Sequence, residues 1–518
     1  MSKKCLIVLL TFALVACSSE PPEAAGTVII NARVIDGSGG PSQEVSVRIV
    51  GDRIANIGAI EPQSGDTVID ARGLVLAPGF VDVHSHHDGG LFEEPGALAA
   101  VSQGITTIVA GQDGRSNYPL AAFFAEYTVT PGAVNIASYA GHGTLRELVM
   151  GDDYQRHATP AELAEMAELL RVEMEAGALG FGTGLEYDPG SFSATTEVIA
   201  LAREAARHGG RYISHIRSED QFVWDAIGEI IRIGREADIP VQISHIKLAM
   251  NKWWGQADVL LEMLDAARAS GVDISADIYP YRAWNTSLSW LETVFPDRDL
   301  TDPAGAELIL RELLSPETIV IAKYVPDPAY NGMTIAEIAD LRETDAETTL
   351  MELLQAERAL GDDAASSRIL GIAMQEADIE AIMAWPHTVI GSDGELAGVH
   401  PRGYGAFARY LGHYLRDREV LPLEEGIRRM TSLSAQQVGI NGRGLIAEGL
   451  PADLVLFDFE RVNDRSTIES PHIPSVGIEQ VWVNGQVVFA KGKVTGNRPG
   501  QVVRRSEHNE GQAGTIEK

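Results

Sequence analysis

Residues 211–280 read RYISHIRSEDQFVWDAIGEIIRIGREADIPVQISHIKLAMNKWWGQADVLLEMLDAARASGVDISADIYP. Short apolar runs, RYISHI, PVQISHI and VDISADIYP, alternate with stretches of helical periodicity at 221–236 and about 256–269. Upstream, a Gly-rich apolar run ends near Gly184, and a helix from Thr196 to His208 stops at Gly209. The strand ends fall near 184, 215, 245 and 277, at intervals of 31, 30 and 32 residues. Each interval is the length of one strand–helix unit. Repeated units with apolar strands imply a parallel sheet, and the length of the chain favours closure into a (β/α)8 barrel. Such barrels place catalytic groups at the C-terminal strand ends, where His215, His245 and Asp277 fall. The clearest helix runs from 159 to 176, with Thr159 as cap, Pro160 in the first turn, Glu162 completing a capping box and Gly177 ending it.

Outside this α/β core the pattern changes. Residues 27–75 and 440–503 read as short strands with Gly turns, and Asn484-Gly485 is a hairpin signal. The two ends are expected to form one small β-sandwich beside a barrel of residues 76–439. Residues 296–385 are less regular, with helical patches such as ETTLMELLQAERALG (347–361), and predict an insertion late in the barrel. Residues 504–518 read as a flexible tail.

The formal net charge is −32, which repels nucleic acid and anionic headgroups, so an anionic substrate needs a local basic clamp. The only cysteines are Cys5 and Cys17, leaving the folded body without disulfide or thiolate ligand. Lys3 and Lys4 precede an apolar run from Cys5 to Ala16, as in a secretory signal peptide of residues 1–16. Leu14-Val15-Ala16-Cys17 resembles the bacterial lipobox, which implies cleavage before Cys17, its lipidation, and a tether over 17–26. Ser18 resembles outer-membrane sorting. The expectation is an exported lipoprotein on the outer membrane facing the periplasm, held there by its lipid alone; an ordinary signal peptide with an incidental Cys17 is the alternative.

APGFVDVHSHHDG (77–89) holds His84 and His86, which point to the same side if the segment is a strand. His215 and His245 lie one strand–helix unit apart, and Asp393 follows the apolar run HTVIG. Four histidines and an aspartate near strand C-termini suit Zn²⁺ or a similar divalent ion better than core packing. A metal with an open position polarises a carbonyl and lowers the pKa of water to about 7. A carboxylate beside it can take the water proton and return it to a leaving amine, and Asp393 is expected in that role.

These motifs resemble the amidohydrolase superfamily and, within it, the D-aminoacylases (N-acyl-D-amino-acid deacylases). The narrower resemblance rests on GHGTLRELVMG (141–151), GLEYDPG (184–190), YISHIRSE (212–219), ISHIK (243–247), DIYPY (277–281) and GSDGELAGVHPRGYGAFARYLG (391–412). It implies metal ligation by His84, His86, His215 and His245, and Asp393 acting on the metal-bound water. It also implies a clamp on the substrate carboxylate by Lys247, Tyr187 and Arg402, with Tyr279 and Tyr281 able to line the pocket. For Lys247 and Arg402 a surface side chain and a surface ion pair are the alternatives. His142 matches a family histidine near the site, and a structural histidine is an equal reading. The substrate implied is a small N-acyl amino acid or short peptide; no oligomeric state follows.

The chain departs from the family at GITTIVAGQDGRS (104–116), where Asp113 stands at the position of a common cysteine ligand. A carboxylate can ligate one metal or bridge two, so Asp113 is expected as a ligand of a centre of one or two ions, against the alternative of a plain turn. Two other functions stay open at this point. A dipeptidase or cyclic-amide hydrolase would commonly need a carboxylated lysine, for which Lys247 and Lys323 are the candidates. A non-catalytic binding lipoprotein need not keep Asp393.

Overall fold

The computed structural model describes residues 25–295, 303–361 and 367–505. The leader, Cys17, most of the tether and residues 506–518 of the tail lie outside the described residues.

Eight parallel strands form the barrel: β1 (Phe80–Asp82), β2 (Ile105–Ala110), β3 (Asn135–Ser138), β4 (Gly180–Gly184), β5 (Arg211–His215), β6 (Val241–Ile243), β7 (Ile274–Ile278) and β8 (Thr388–Ile390). β1 to β3 pair in sequence, a two-residue continuation of β3 (Ala140–Gly141) pairs with β4, and β4 to β8 follow in order. The ring closes beyond the strands proper. Ser85 bridges Gly394 in parallel, His86 N donates to Gly394 O at 2.9 Å, and Asp393 N donates to His84 O at 2.8 Å. Closure thus ties together two of the loops that carry the expected chemistry.

The helices wrap this ring as their periodicity dictates. Val223–Ala237 buries Val223, Ala226, Ile227, Ile230, Ile231, Ile233, Gly234 and Ala237, a three-to-four-residue stripe facing the sheet. Truncating a fully buried member such as Ile230 to Ala costs about 2–5 kcal/mol through lost contacts and a residual cavity. Pro160–Glu175 starts with the expected capping box: Thr159 Oγ1 accepts from Glu162 N, and the Glu162 carboxylate accepts from Thr159 N.

The two chain ends build one nine-stranded sheet, with strands from residues 27–78 joined to those of 454–494 through Val75–Pro78 against Leu454–Phe457. The sheet rolls over on itself. Ile54 near one edge and Trp482 toward the other share a core, and Arg53 bridges Pro451. The hairpin turn at Asn484-Gly485 lies in that closure: a Cβ on Gly485, whose φ is 75°, would collide with Gly51 O.

Between β7 and β8 the chain leaves the barrel. Ala283–Ser287, Ile319–Lys323 and Arg368–Ile372 form a separate antiparallel sheet backed by helices Pro303–Glu312, Ile335–Arg342 and Ala346–Arg358. It has its own apolar core, including Trp284, Leu288, Ile319, Leu350 and Ile369. The insertion therefore begins earlier than the irregular stretch from residue 296: AWNTS is too polar to announce a strand, and its partner lies more than eighty residues away.

Candidate active site

At the C-terminal mouth of the barrel lies a cavity of about 880 Å³, lined in part by His86, Asp113, His215, His245, Lys247 and Asp393. Each side chain reaches it by an identifiable local device. His84 and His86 lie just past β1 rather than within it, held by the Ser85 bridge to the Asp393 loop. Asp113 sits in the turn after β2 with φ 53°, between Gly111 at 76° and Gly114 at 79°. A Cβ on Gly111 would lie 2.2 Å from Tyr139 O, so the turn needs glycine there. Gln112 pins the turn to the barrel by donating to Val83 O and Val109 O, both at 2.9 Å. His245 follows the end of β6 with φ 32°; its N donates to Asp277 Oδ1 at 2.8 Å. Asp277 Oδ2 in turn accepts from Gln242 at 2.7 Å.

Beside a third group of Glu186, His215 and Glu219, two donor groups share one residue. His84, His86, Asp113 and Asp393 form one, and Asp113, His215 and His245 the other; within each group the candidate ligand atoms lie within 4.8 Å of one another. His86 Nε2 stands 3.2 Å from Asp113 Oδ2 and 3.3 Å from Asp393 Oδ1, and His84 Nε2 lies 3.6 Å from both carboxylates. On the other side, His215 Nδ1 and His245 Nε2 are 3.0 Å apart, and the latter is 3.6 Å from Asp113 Oδ1. Both ring nitrogens of His84 and Asp113 Oδ1 are buried without a hydrogen-bond partner. Burial opposes charge on His86, but Asp113 and Asp393 outweigh it and lift the imidazole to about 10. Burial pushes His215 down to about 4, leaving it neutral and able to donate a lone pair. Unpaired donors around a centre that favours positive charge fit a divalent ion, and the shared position of Asp113 fits a pair of ions with a bridging carboxylate.

The sequence model of the amidohydrolase family matches residues 67–283 and 318–489. The chain belongs to the amidohydrolase family. A D-aminoacylase of Alcaligenes xylosoxydans xylosoxydans is 36% identical over 504 residues, covering 92% of this chain and 97% of the relative. An N-acyl-D-glutamate deacylase of the same organism is 36% identical over 507 residues, covering 93% and 97%. The solved N-acyl-D-glutamate deacylase of Bordetella bronchiseptica, complexed with zinc and a phosphonate inhibitor, superposes with a TM-score of 0.81 at 34% identity, covering 93% of this chain and all of that one. This amidohydrolase is thus a member of the D-aminoacylase branch and an enzyme of amide bonds.

The two cations expected in the clamp, Arg402 and Lys247, both line the cavity, and each is already engaged. Arg402 Nη1 contacts Asp393 Oδ2 at 2.7 Å, and its guanidinium lies 4.7 Å from the centre of the Tyr279 ring. Burial opposes ionisation of Asp393, but Arg402 and the neighbouring histidines outweigh it and hold the carboxyl well below the usual range. Lys247 Nζ lies 2.5 Å from Glu219 Oε1 and 2.9 Å from His245 Nδ1. Tyr187 and Tyr279 line the cavity, and Tyr187 packs on the His215 ring at 4.4 Å. Tyr281 and His142 are not among the cavity's lining residues. The Tyr281 hydroxyl donates to Asp464 at 3.0 Å behind the mouth. His142 Nε2 lies 2.9 Å from Glu197, whose carboxylate also takes the buried Arg146. Of the two lysines weighed as a carboxylated ligand, Lys247 is buried and paired with Glu219, and Lys323 is exposed on the insertion.

Two site residues escaped the sequence reading in this amidohydrolase. Glu186 Oε2 lies 2.7 Å from His215 Nε2, and Glu219 Oε1 lies 2.8 Å from His245 Nδ1. Each glutamate sits on the ring edge away from Asp113, so the tautomer with its N–H on that edge would leave the inner nitrogen as the lone-pair donor facing the centre. Both glutamates belong to stretches that carry the family resemblance, GLEYDPG and YISHIRSE, but nothing in the spacing marks them as partners of those histidines.

Proposed function

We propose that this amidohydrolase releases the amino acid from N-acyl-D-amino acids by hydrolysing the linear amide, with zinc as the metal. The observation that carries this reading is the double engagement of Asp393. One oxygen belongs to the His84–His86–Asp113 group and the other accepts from Arg402, so the proton acceptor stands between the metal donors and the carboxylate clamp. A divalent ion held by these residues supplies a Lewis acid for the scissile carbonyl and makes water nucleophilic near neutral pH. Arg402 and Lys247 then hold the α-carboxylate, and Tyr187 and Tyr279 wall the pocket. Asp393, ionised at neutral pH, accepts the proton of the attacking water and passes it to the leaving nitrogen as the C–N bond breaks. The full-length D-aminoacylase and N-acyl-D-glutamate deacylase relatives support the substrate class.

The clamp is tested with N-acetyl-D-methionine against its α-carboxamide. Arg402→Gln is expected to raise KM for the acid at least tenfold and leave the amide, already poor, unchanged. An equal loss on both would show that Arg402 serves only to hold Asp393.

The leader supports export as a lipoprotein to the periplasmic side of the outer membrane. Lipid labelling of the full chain in a bacterial host is expected to tag the protein, and Cys17→Ser to abolish the tag and release it from membranes. A labelled Cys17→Ser protein would contradict this.

A further inference from the structure

The antiparallel sheet of the insertion forms one wall of the catalytic cavity, and it presents two different faces. Cross-strand neighbours share a face, and residues alternate between faces along a strand. Arg368 stands opposite Ser287 and diagonal to Asn285, so these three share one face; on the other, Ile369 and Trp284 enter the insertion's own core, and Trp284 and Thr286 also border the cavity. Asn285, Ser287 and Arg368 all line the cavity that holds Asp113, His245 and Asp393. Asn285 also borders a small recess with Asp393 and Arg402, so this face lies beside the carboxylate clamp.

The state of the cations in the cavity singles out Arg368. Arg115 pairs with Glu147, Lys247 with Glu219 and Arg402 with Asp393. Among the described residues Arg368 has no carboxylate within 4.0 Å; its Nε donates to Asn285 Oδ1 at 3.3 Å, which leaves most of its donors uncommitted. An apolar substrate side chain set against Arg368 and Asn285 would bury guanidinium and amide groups without partners, at a cost. A carboxylate would receive two parallel N–H donors from the guanidinium.

Resting on the deacylase reading above, we infer that Arg368 is a specificity-determining residue that selects N-acyl-D-amino acids with an acidic side chain. The α-carboxylate lies on Arg402 and Lys247, and the side-chain carboxylate on Arg368 with Asn285 beside it. The two relatives described above bear names that differ on this very point at the same identity, so overall similarity does not decide it.

The test compares the zinc-loaded enzyme with Arg368→Gln on N-acetyl-D-glutamate, N-acetyl-D-glutamine and N-acetyl-D-leucine. D-glutamine matches D-glutamate in shape and lacks only the charge. The unaltered enzyme is expected to favour glutamate over glutamine at least tenfold in kcat/KM. Arg368→Gln should bring that ratio to within about threefold of unity, with the larger loss on glutamate. A preference for leucine or glutamine in the unaltered enzyme would overturn the inference and leave the deacylase reading standing. So would an equal loss on glutamate and glutamine in the variant. No release from any of the three by the unaltered enzyme would overturn both.

Discussion

Asp113, His245 and Asp393 hold φ angles of 53°, 32° and 48°, in the left-handed region that side chains other than Gly, Asn and Asp rarely enter. Such conformations cost of order 1–3 kcal/mol each and persist where the surroundings enforce them. Here the surroundings are the Gln112 anchor, the Asp277 hydrogen bond and the closing contacts of Ser85 and Gly394, and the strain aims three side chains at one point. Asp113→Ala is therefore expected to lower metal content measured by atomic emission, by at least one ion per chain, and to cut turnover more than 100-fold; a variant with full metal content would remove Asp113 from the centre. Asp393→Asn should keep the fold and at least one ion but lose turnover by about 10²–10⁴, the usual worth of a general base. Glu219→Gln weakens the grip on both Lys247 and His245, so it should raise KM for carboxylate substrates and lower metal affinity by about 10- to 100-fold; a change in neither would make Glu219 a bystander. The histidines and Asp393 were legible in the sequence because they cluster at the ends of apolar runs. Glu186 and Glu219 were not, since a glutamate after a strand looks like solvent-facing loop until the fold brings an imidazole against it.

At the scale of elements, His142 shows how a family motif can serve structure. It caps a buried network in which Glu197, on the helix Thr195–Arg207, accepts from Arg146 on the helix His142–Met150. Burial raises the Glu197 pKa, but His142 and Arg146 outweigh it and lower it below the ordinary value. A carboxyl depressed in the folded state stabilises above its unfolded pKa of about 4.3, and that stability is lost as pH falls below it. The melting temperature should therefore drop on acidification below about pH 4, and part of that drop should vanish in Glu197→Gln, whose stability at pH 7 is lower; an identical acid limb in the variant would contradict the role. The helices of the barrel were legible because their apolar stripes and caps are local. The start of the insertion was not, because AWNTS becomes a strand only by pairing with RILGI.

At the scale of the molecule, the βα period announced the barrel, and the short strands at both ends announced the flanking β layer. That layer is a single rolled sheet, and its closure through Arg53 and Pro451 rests on pairings between residues some four hundred positions apart, which no local pattern encodes. The barrel contributes the candidate metal donors, its closing loops Asp393 and Arg402, and the insertion the opposite wall of one cavity. The most direct test of this account is chiral analysis of the amino acids released from racemic N-acetyl substrates, including glutamate and methionine, by the zinc-loaded enzyme. Release of the D-amino acid alone, abolished in Asp393→Asn, is the predicted result. Release of the L-amino acid, or release that survives Asp393→Asn, would contradict it.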